Sequence, residues 1–124
     1  MPRSPHAGVP APQAGADPGT PPDPDLFGEA AETFAMLASP VRLHLLWLLA
    51  RGAMDVGTLA EAVGGSVATV SQHLAKMRLT DLVSARRRGK HQVYELDDPH
   101  VVTLLQQALD HQADLRARRP PARG

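Results

Sequence analysis

The tightest constraint in this chain is a break. Gly64-Gly65 separates two short helical patterns, and a run of arginines follows the second. Asp55 is a candidate N-cap for a helix over Val56 to Val63 (VGTLAEAV). The glycines end that helix, and Ser66 caps another over Val67 to about Arg78 (VATVSQHLAKMR). Two short helices joined by a tight glycine turn make a helix-turn-helix unit. In the second helix Val67, Val70, Leu74 and Met77 share one face. Ala68, Thr69, Gln72, His73 and Lys76 point away from it, with Ser66 and Ser71 beside them. Short polar side chains and a base on an outward face suit the edges of base pairs in a major groove.

The pattern changes after Leu79-Thr80-Asp81. Leu82 to Arg88 and His91 to Leu96 flank Gly89-Lys90, the signal of a β-hairpin with a glycine turn. A basic hairpin directly after such a helix is a wing. Arg86, Arg87, Arg88 and Lys90 would lie against phosphates or an adjacent minor groove. Strand alternation sends Arg86 and Arg88 to one face and Arg87 to the other. Whole-chain charge hides this patch, because 13 basic and 13 acidic residues cancel. Between Ser66 and Gln92, however, six bases (Lys76, Arg78, Arg86, Arg87, Arg88 and Lys90) face one acid, Asp81. Distribution rather than net charge is what a nucleic acid meets.

The remaining elements follow from caps and spacing. Residues 1–25 are rich in Pro, Gly, Ala and Asp and lack the apolar surface to offset ordering entropy, so they are expected to be disordered. Leu26, Ala30, Phe34 and Leu37 predict a first helix over about 26–38. Ser39 then caps, with Pro40 at the first position, the most apolar stretch of the chain, Val41 to Ala50. Asp98-Pro99 opens a last helix to about Ala117, with Val101, Leu104, Leu105, Ala108, Leu109 and Leu115 as its apolar face. The fold class expected is mainly α with a small β-hairpin, a winged helix-turn-helix. The expected division is a tail over 1–25, one DNA-binding and dimerisation domain over 26–117, and a flexible tail over 118–124.

Aromatics make up only 3% of the 124 residues, so the core must be built of Leu, Val, Ala and Met. A thin aliphatic core in a short chain favours a partner surface, and a homodimer is expected. With no cysteine, disulfides and thiolate metal sites are excluded. No apolar run nears the ~20 residues that span a bilayer, and residues 1–25 lack a signal-peptide core, which leaves a cytoplasmic location without membrane partners. No nucleophile–base pair, phosphate-cradling glycine loop or small-molecule substrate pocket is evident, so an enzyme is not expected.

Four metal-ligand types lie on the last helix or its first turn: Asp98, His100, His111 and Asp114. At 100° per residue His111 falls about 20° from the line of His100, and Asp114 about 40° from it. They share a stripe but not a point, since eleven residues of rise part the histidines by roughly 16 Å. A metal–nitrogen bond is about 2 Å. Two antiparallel copies of the helix would close the gap. Asp98 and His100 of one chain would then meet His111 and Asp114 of the other, giving two equivalent sites. Two nitrogens and two oxygens suit Zn(II) if tetrahedral, or Ni(II) or Co(II) with added donors. Lack of cysteine argues against Cu(I), Cd(II), Pb(II) and As(III).

The stretch SVATVSQHLAKMRLTDLVSARRRGKHQVYEL (66–96) resembles the recognition helix and wing of the ArsR/SmtB family of metal-responsive repressors. ASPVRLHLLWLL resembles that family's second helix, and DDPHVVTLLQQALDHQAD the last helix of its zinc and nickel/cobalt sensors. The likeness covers about residues 26–117. It implies a dimer that binds double-stranded operator DNA and is released when Zn(II) or Ni(II)/Co(II) ties the final helices together, a coupling between two sites. Three departures stand out. Asp114 occupies a position where relatives have His or Glu; the thiol motif of arsenic and cadmium sensors, which would fall near Met54–Leu59, is missing; and Thr80-Asp81-Leu82 lacks the usual glycine, a change expected to touch only turn geometry.

Plainer readings stand beside these. Asp98 is by itself a cap, and His100 and His111 singly are surface residues; only their joint register speaks for metal. His44 and Trp47 are expected in the core or a dimer interface, His73 against DNA, and His91 facing solvent or phosphate. His6 is simplest as a tail residue, although likeness to some nickel sensors would make it an accessory ligand. Arg116, Arg118 and Arg119 suit the negative end of the final helix. Two rival functions remain open: a repressor of the same family answering to no metal or another signal, and a protein-interaction module with an inactive reading head.

Overall fold

The computed structural model describes residues 19–120, in two units, Met1–Ala35 and Met36–Gly124. His6 and residues 1–18 of the expected tail lie outside the described residues. Helix α1 (Pro24–Leu37) begins inside the predicted tail. Asp23 explains the early start: its Oδ1 accepts from the backbone N–H of Asp25 at 2.9 Å and so caps the helix. Leu26, Phe27 and Phe34 of α1 are exposed; of the apolar positions predicted there, only Leu37 is buried.

In the second unit the order is α2 (Pro40–Arg51), β1 (Met54–Asp55), α3 (Val56–Val63), α4 (Val67–Leu79), β2 (Ser84–Arg88), β3 (His91–Glu95) and α5 (Pro99–Arg118). Every predicted N-cap is made. Ser39 Oγ accepts from Arg42 N, Asp55 Oδ1 from Thr58 N, Ser66 Oγ from Thr69 N and Asp98 Oδ1 from His100 N. Gly64 closes α3 at φ 73, a left-handed position where a side chain would strain the backbone.

One aliphatic core holds this unit. Leu45, Leu46 and Leu49 of α2, Leu59 and Ala60 of α3, and Val70, Leu74 and Met77 of α4 are sealed from solvent. Leu82, Val83, Val101 and Leu105 extend the buried set, and Tyr94 is its aromatic exception. Removing each such side chain from water contributes about 1.5–3 kcal/mol. Among the described residues no polar or charged residue is buried.

The sheet is antiparallel in the order β1-β3-β2. Arg88 pairs with His91 across Gly89-Lys90, and Gly89 at φ 63 fits the first position of a type II′ turn. β1 was not foreseen, since two residues carry no periodicity. It exists because Met54 and Asp55 meet Tyr94 and Val93 across the sheet.

Several apolar expectations were too generous. Val67 is 51% exposed, because it stands in the first turn of α4 beyond the reach of the core. Trp47 and His44 are exposed in the single chain, which removes the core alternative and leaves the interface one; with Pro40, Leu43 and Leu109 they line an open hollow, and Arg51 stacks 4.9 Å over the Trp47 ring. On α5, Val101 and Leu105 are buried, while Leu104, Ala108 and Leu109 are not. Among the described residues no single helix is long and apolar enough to cross a membrane.

Candidate nucleic-acid interface

Helix α4 turns Val70, Leu74 and Met77 inward, which leaves Ser66, Ala68, Thr69, Gln72 and Lys76 exposed along its other side. The start of the helix is pre-set: Ser66 Oγ accepts from Thr69 N at 3.1 Å and also donates to Thr69 Oγ1 at 2.9 Å. Ser71 and His73 are half-buried, so they edge this face rather than stand on it. His73 is held there by Arg42 of α2, whose Nε donates to its Nδ1 at 3.0 Å. Burial, then the cations of Arg42 and Lys76, keep the His73 pKa below the usual imidazole value. Arg42 is the residue that sequence reasoning missed. It is a polar residue in an apolar helix, and its partner lies 31 positions away.

The wing presents Arg86, Arg87, Arg88, Lys90 and His91 to solvent. Arg86 is not free, because its Nε pairs with Glu95 Oε1 on the neighbouring strand. Among the described residues Arg87, Arg88 and Lys90 have no ion-pair partner, nor do Lys76 and Arg78 of α4. Asp55 lies at the wing's base, 3.9 Å from His91. The Thr58 backbone N–H, then the Thr58 hydroxyl, hold the Asp55 carboxyl below its ordinary pKa, and His91 adds to the effect.

On α5 the four metal-ligand candidates fall into two pairs. Asp98 Oδ1 lies 3.1 Å from His100 Nδ1, so these two meet. His111 and Asp114 stand exposed near the other end of the helix. Among the described residues no three His, Cys, Asp or Glu side chains of one chain converge on a possible metal position. The donors present suit a metal chemically: a carboxylate beside Nδ1 leaves Nε2 with a lone pair for a cation. Within one chain, however, only Asp98 and His100 of the four are in contact.

Comparison with known proteins agrees with this layout. A family model described as a helix-turn-helix domain matches residues 37–84, the span from Leu37 through α4 to the first residue of β2. The HTH-type transcriptional regulator KmtR of Mycobacterium tuberculosis is 45% identical over 91 residues, covering 73% of this chain and 70% of KmtR. The homodimeric winged helix-turn-helix DNA-binding domain of Mb0332 from Mycobacterium bovis, a possible ArsR-family transcriptional regulator, superposes with a TM-score of 0.69 at 28% identity, covering 80% of this chain and 92% of that one. The AntR antimony-specific transcriptional repressor superposes with a TM-score of 0.70 at 32% identity, over 77% of this chain and 87% of AntR.

The chain belongs to the ArsR/SmtB family. It is a transcriptional repressor with a winged helix-turn-helix fold, a class of DNA-binding regulators and not of enzymes. Against the family pattern, the missing glycine after α4 has a visible consequence. Asp81 takes φ 61 in its place, while its N–H donates to Arg78 O and that of Leu82 to Met77 O. The turn geometry therefore persists with a side chain in the left-handed region, which Asp tolerates better than most residues.

Proposed function

We propose that this ArsR/SmtB repressor binds operator DNA as a homodimer and is released by Zn(II) or Ni(II)/Co(II). The reading surface consists of Ser66, Ala68, Thr69, Ser71, Gln72, His73 and Lys76 on α4, with Arg86, Arg87, Arg88 and Lys90 on the wing. What supports this part is the concentration of uncompensated cations beside a capped, outward-facing helix. The DNA-binding and dimerisation domain of this reading is residues 26–117, widened to Pro24 and Arg118, where α1 begins and α5 ends.

The metal part is carried by one observation. The Asp98–His100 pair and the residues His111 and Asp114 stand at opposite ends of a helix whose outer apolar residues, Leu104 and Leu109, each remain 39% exposed among the described residues. Packing that helix against a second copy would bury the leucines and bring each pair to its complement. Each of the two sites would then hold Asp98 and His100 of one subunit with His111 and Asp114 of the partner subunit. Antimony, named for AntR, is a soft element that prefers thiolates, and this chain has no cysteine to offer.

Titrating the chelator-stripped chain with Co(II), beside His100→Ala and His111→Ala variants, tests the site. Intense visible bands saturating near one metal per chain, and lost in both variants, are expected for tetrahedral coordination. Weak bands of the same stoichiometry keep the site and favour nickel or cobalt. No saturable binding removes the metal. A repressor indifferent to metal is the second reading, favoured by the fact that Asp98 already serves as the N-cap of α5. Operator binding unchanged by chelator, Zn(II) and Ni(II) would select it.

A further inference from the structure

Among the described residues Arg42 is the only residue of α2 whose side chain hydrogen-bonds to α4, and its guanidinium is fixed on several sides. Nη1 donates to the Met36 carbonyl and lies against Met36 Sδ, both at 3.1 Å, while Nε donates to His73 Nδ1 at 3.0 Å. Its own backbone N–H is tied to Ser39 Oγ. A guanidinium has donors and no acceptor. The ring nitrogen facing it must therefore carry the lone pair, and in neutral imidazole the proton then sits on the other nitrogen. Among the described residues His73 makes no second hydrogen bond, so Nε2–H is a donor without a protein partner at the edge of the outward face of α4.

We propose that Arg42 is a positioning residue for operator recognition: it locks His73 as the neutral Nε2–H tautomer, so that α4 offers a fixed donor to a hydrogen-bond acceptor on DNA. Acceptors of this chemistry are purine N7, guanine O6 and thymine O4 in the major groove, or a phosphate oxygen. The amino group of cytosine is excluded, because two donors would face each other. Two adjacent cations, Arg42 and Lys76, oppose the imidazolium form. The donor is thus set before DNA arrives, which spares the cost of ordering it on binding. This inference rests on α4 being the DNA-reading helix.

The first measurement uses the full wild-type chain without DNA. Nitrogen-15 NMR of the histidine rings at neutral pH is expected to show His73 protonated at Nε2 only. An Nδ1–H signature overturns the proposal outright, whatever the variants do. The second is a double-mutant cycle on a duplex selected by the wild-type chain from a random pool, with Arg42→Met, His73→Phe and both together. Each single change is expected to weaken binding roughly two- to tenfold, the worth of one neutral hydrogen bond. The double variant should lose no more than either alone, because Arg42 acts through His73. Arg42→Lys, which keeps a donor, should recover part of the loss, and it stands in if Arg42→Met fails to fold. Repeating the selection with His73→Phe separates the sources: relaxed preference at one position per half-site marks a base edge, and a uniform loss marks phosphate. Additive losses, or none, overturn the proposal. A wild-type chain that selects no motif overturns the reading role of α4 and this inference with it.

Discussion

The helix-turn-helix and the C-terminal helix are built to different standards of self-sufficiency. In α3 and α4 the residues Leu59, Val70, Leu74 and Met77 are fully enclosed and both N-caps are satisfied, while the exposed side is largely polar or basic, with Val67 and Leu79 as apolar exceptions at the two ends of α4. In α5 only Val101 and Leu105 are enclosed over 20 residues, while Leu104 and Leu109 remain 39% exposed. The first region completes its packing within one chain. The second does not, and an amphipathic helix with an uncovered apolar side is unfinished until something covers it. Under the proposed function, recognition would be carried on the self-packed part and the signal on the part that needs a neighbour.

The largest test of that contrast compares Leu74→Ala with Leu109→Ala. Leu74→Ala is expected to cost about 2–5 kcal/mol by opening a cavity in a sealed core. In dilute protein Leu109→Ala should stay within about 0.5 kcal/mol of the parent. It should, however, abolish the rise in urea midpoint with protein concentration that a dimer shows. Equal losses from the two changes at low concentration would erase the difference between the regions.

Removing a cap asks how independent the reading head is. Ser66→Ala is expected to lower unfolding free energy by about 1 kcal/mol, read from urea melts, since Thr69 N–H loses its acceptor. In the opposite direction, Asp81→Gly should raise stability by up to about 1 kcal/mol by relieving the left-handed backbone, with the same readout. A drop instead would mean that the Asp81 side chain contributes more than its backbone costs.

The smallest effect concerns acid. The hydrogen bonds from Thr58 hold the Asp55 carboxyl below the ordinary aspartate pKa, so its cap contributes fully above that ordinary value. The contribution is lost as pH falls through the depressed folded value. Asp55→Asn should accordingly flatten the fall of the urea midpoint between pH 5 and pH 3. An unchanged slope would assign the acid sensitivity to other carboxylates.

Much of this architecture was legible because it is local. Ser39, Asp55, Ser66 and Asp98 announce helix starts through contacts three residues away or nearer, and Gly64 and Gly89 mark backbone turns through their own φ. Helix ends landed within two residues. What was hidden depends on distant partners. β1 exists only through its pairing with β3, Arg42 finds its role 31 residues away, and Arg86 is neutralised from the next strand by Glu95. The apolar faces of α1 and α5 were read correctly as apolar, but periodicity alone does not say whether a neighbour lies within the chain. The stripe of Asp98, His100, His111 and Asp114 on α5 has the same character, since its spacing is visible and its proposed closure would depend on a second copy.

The small strand β1 has a mechanical consequence. Asp55 pairs with Val93 of the wing and in the same position starts α3, so no slack residue lies between the hairpin and the helix-turn-helix. Each half of the proposed dimer would press onto DNA as a single stiff die. Any adjustment to the pitch of the double helix must then come from the joint between copies, which is where a metal ion would act as a locking pin.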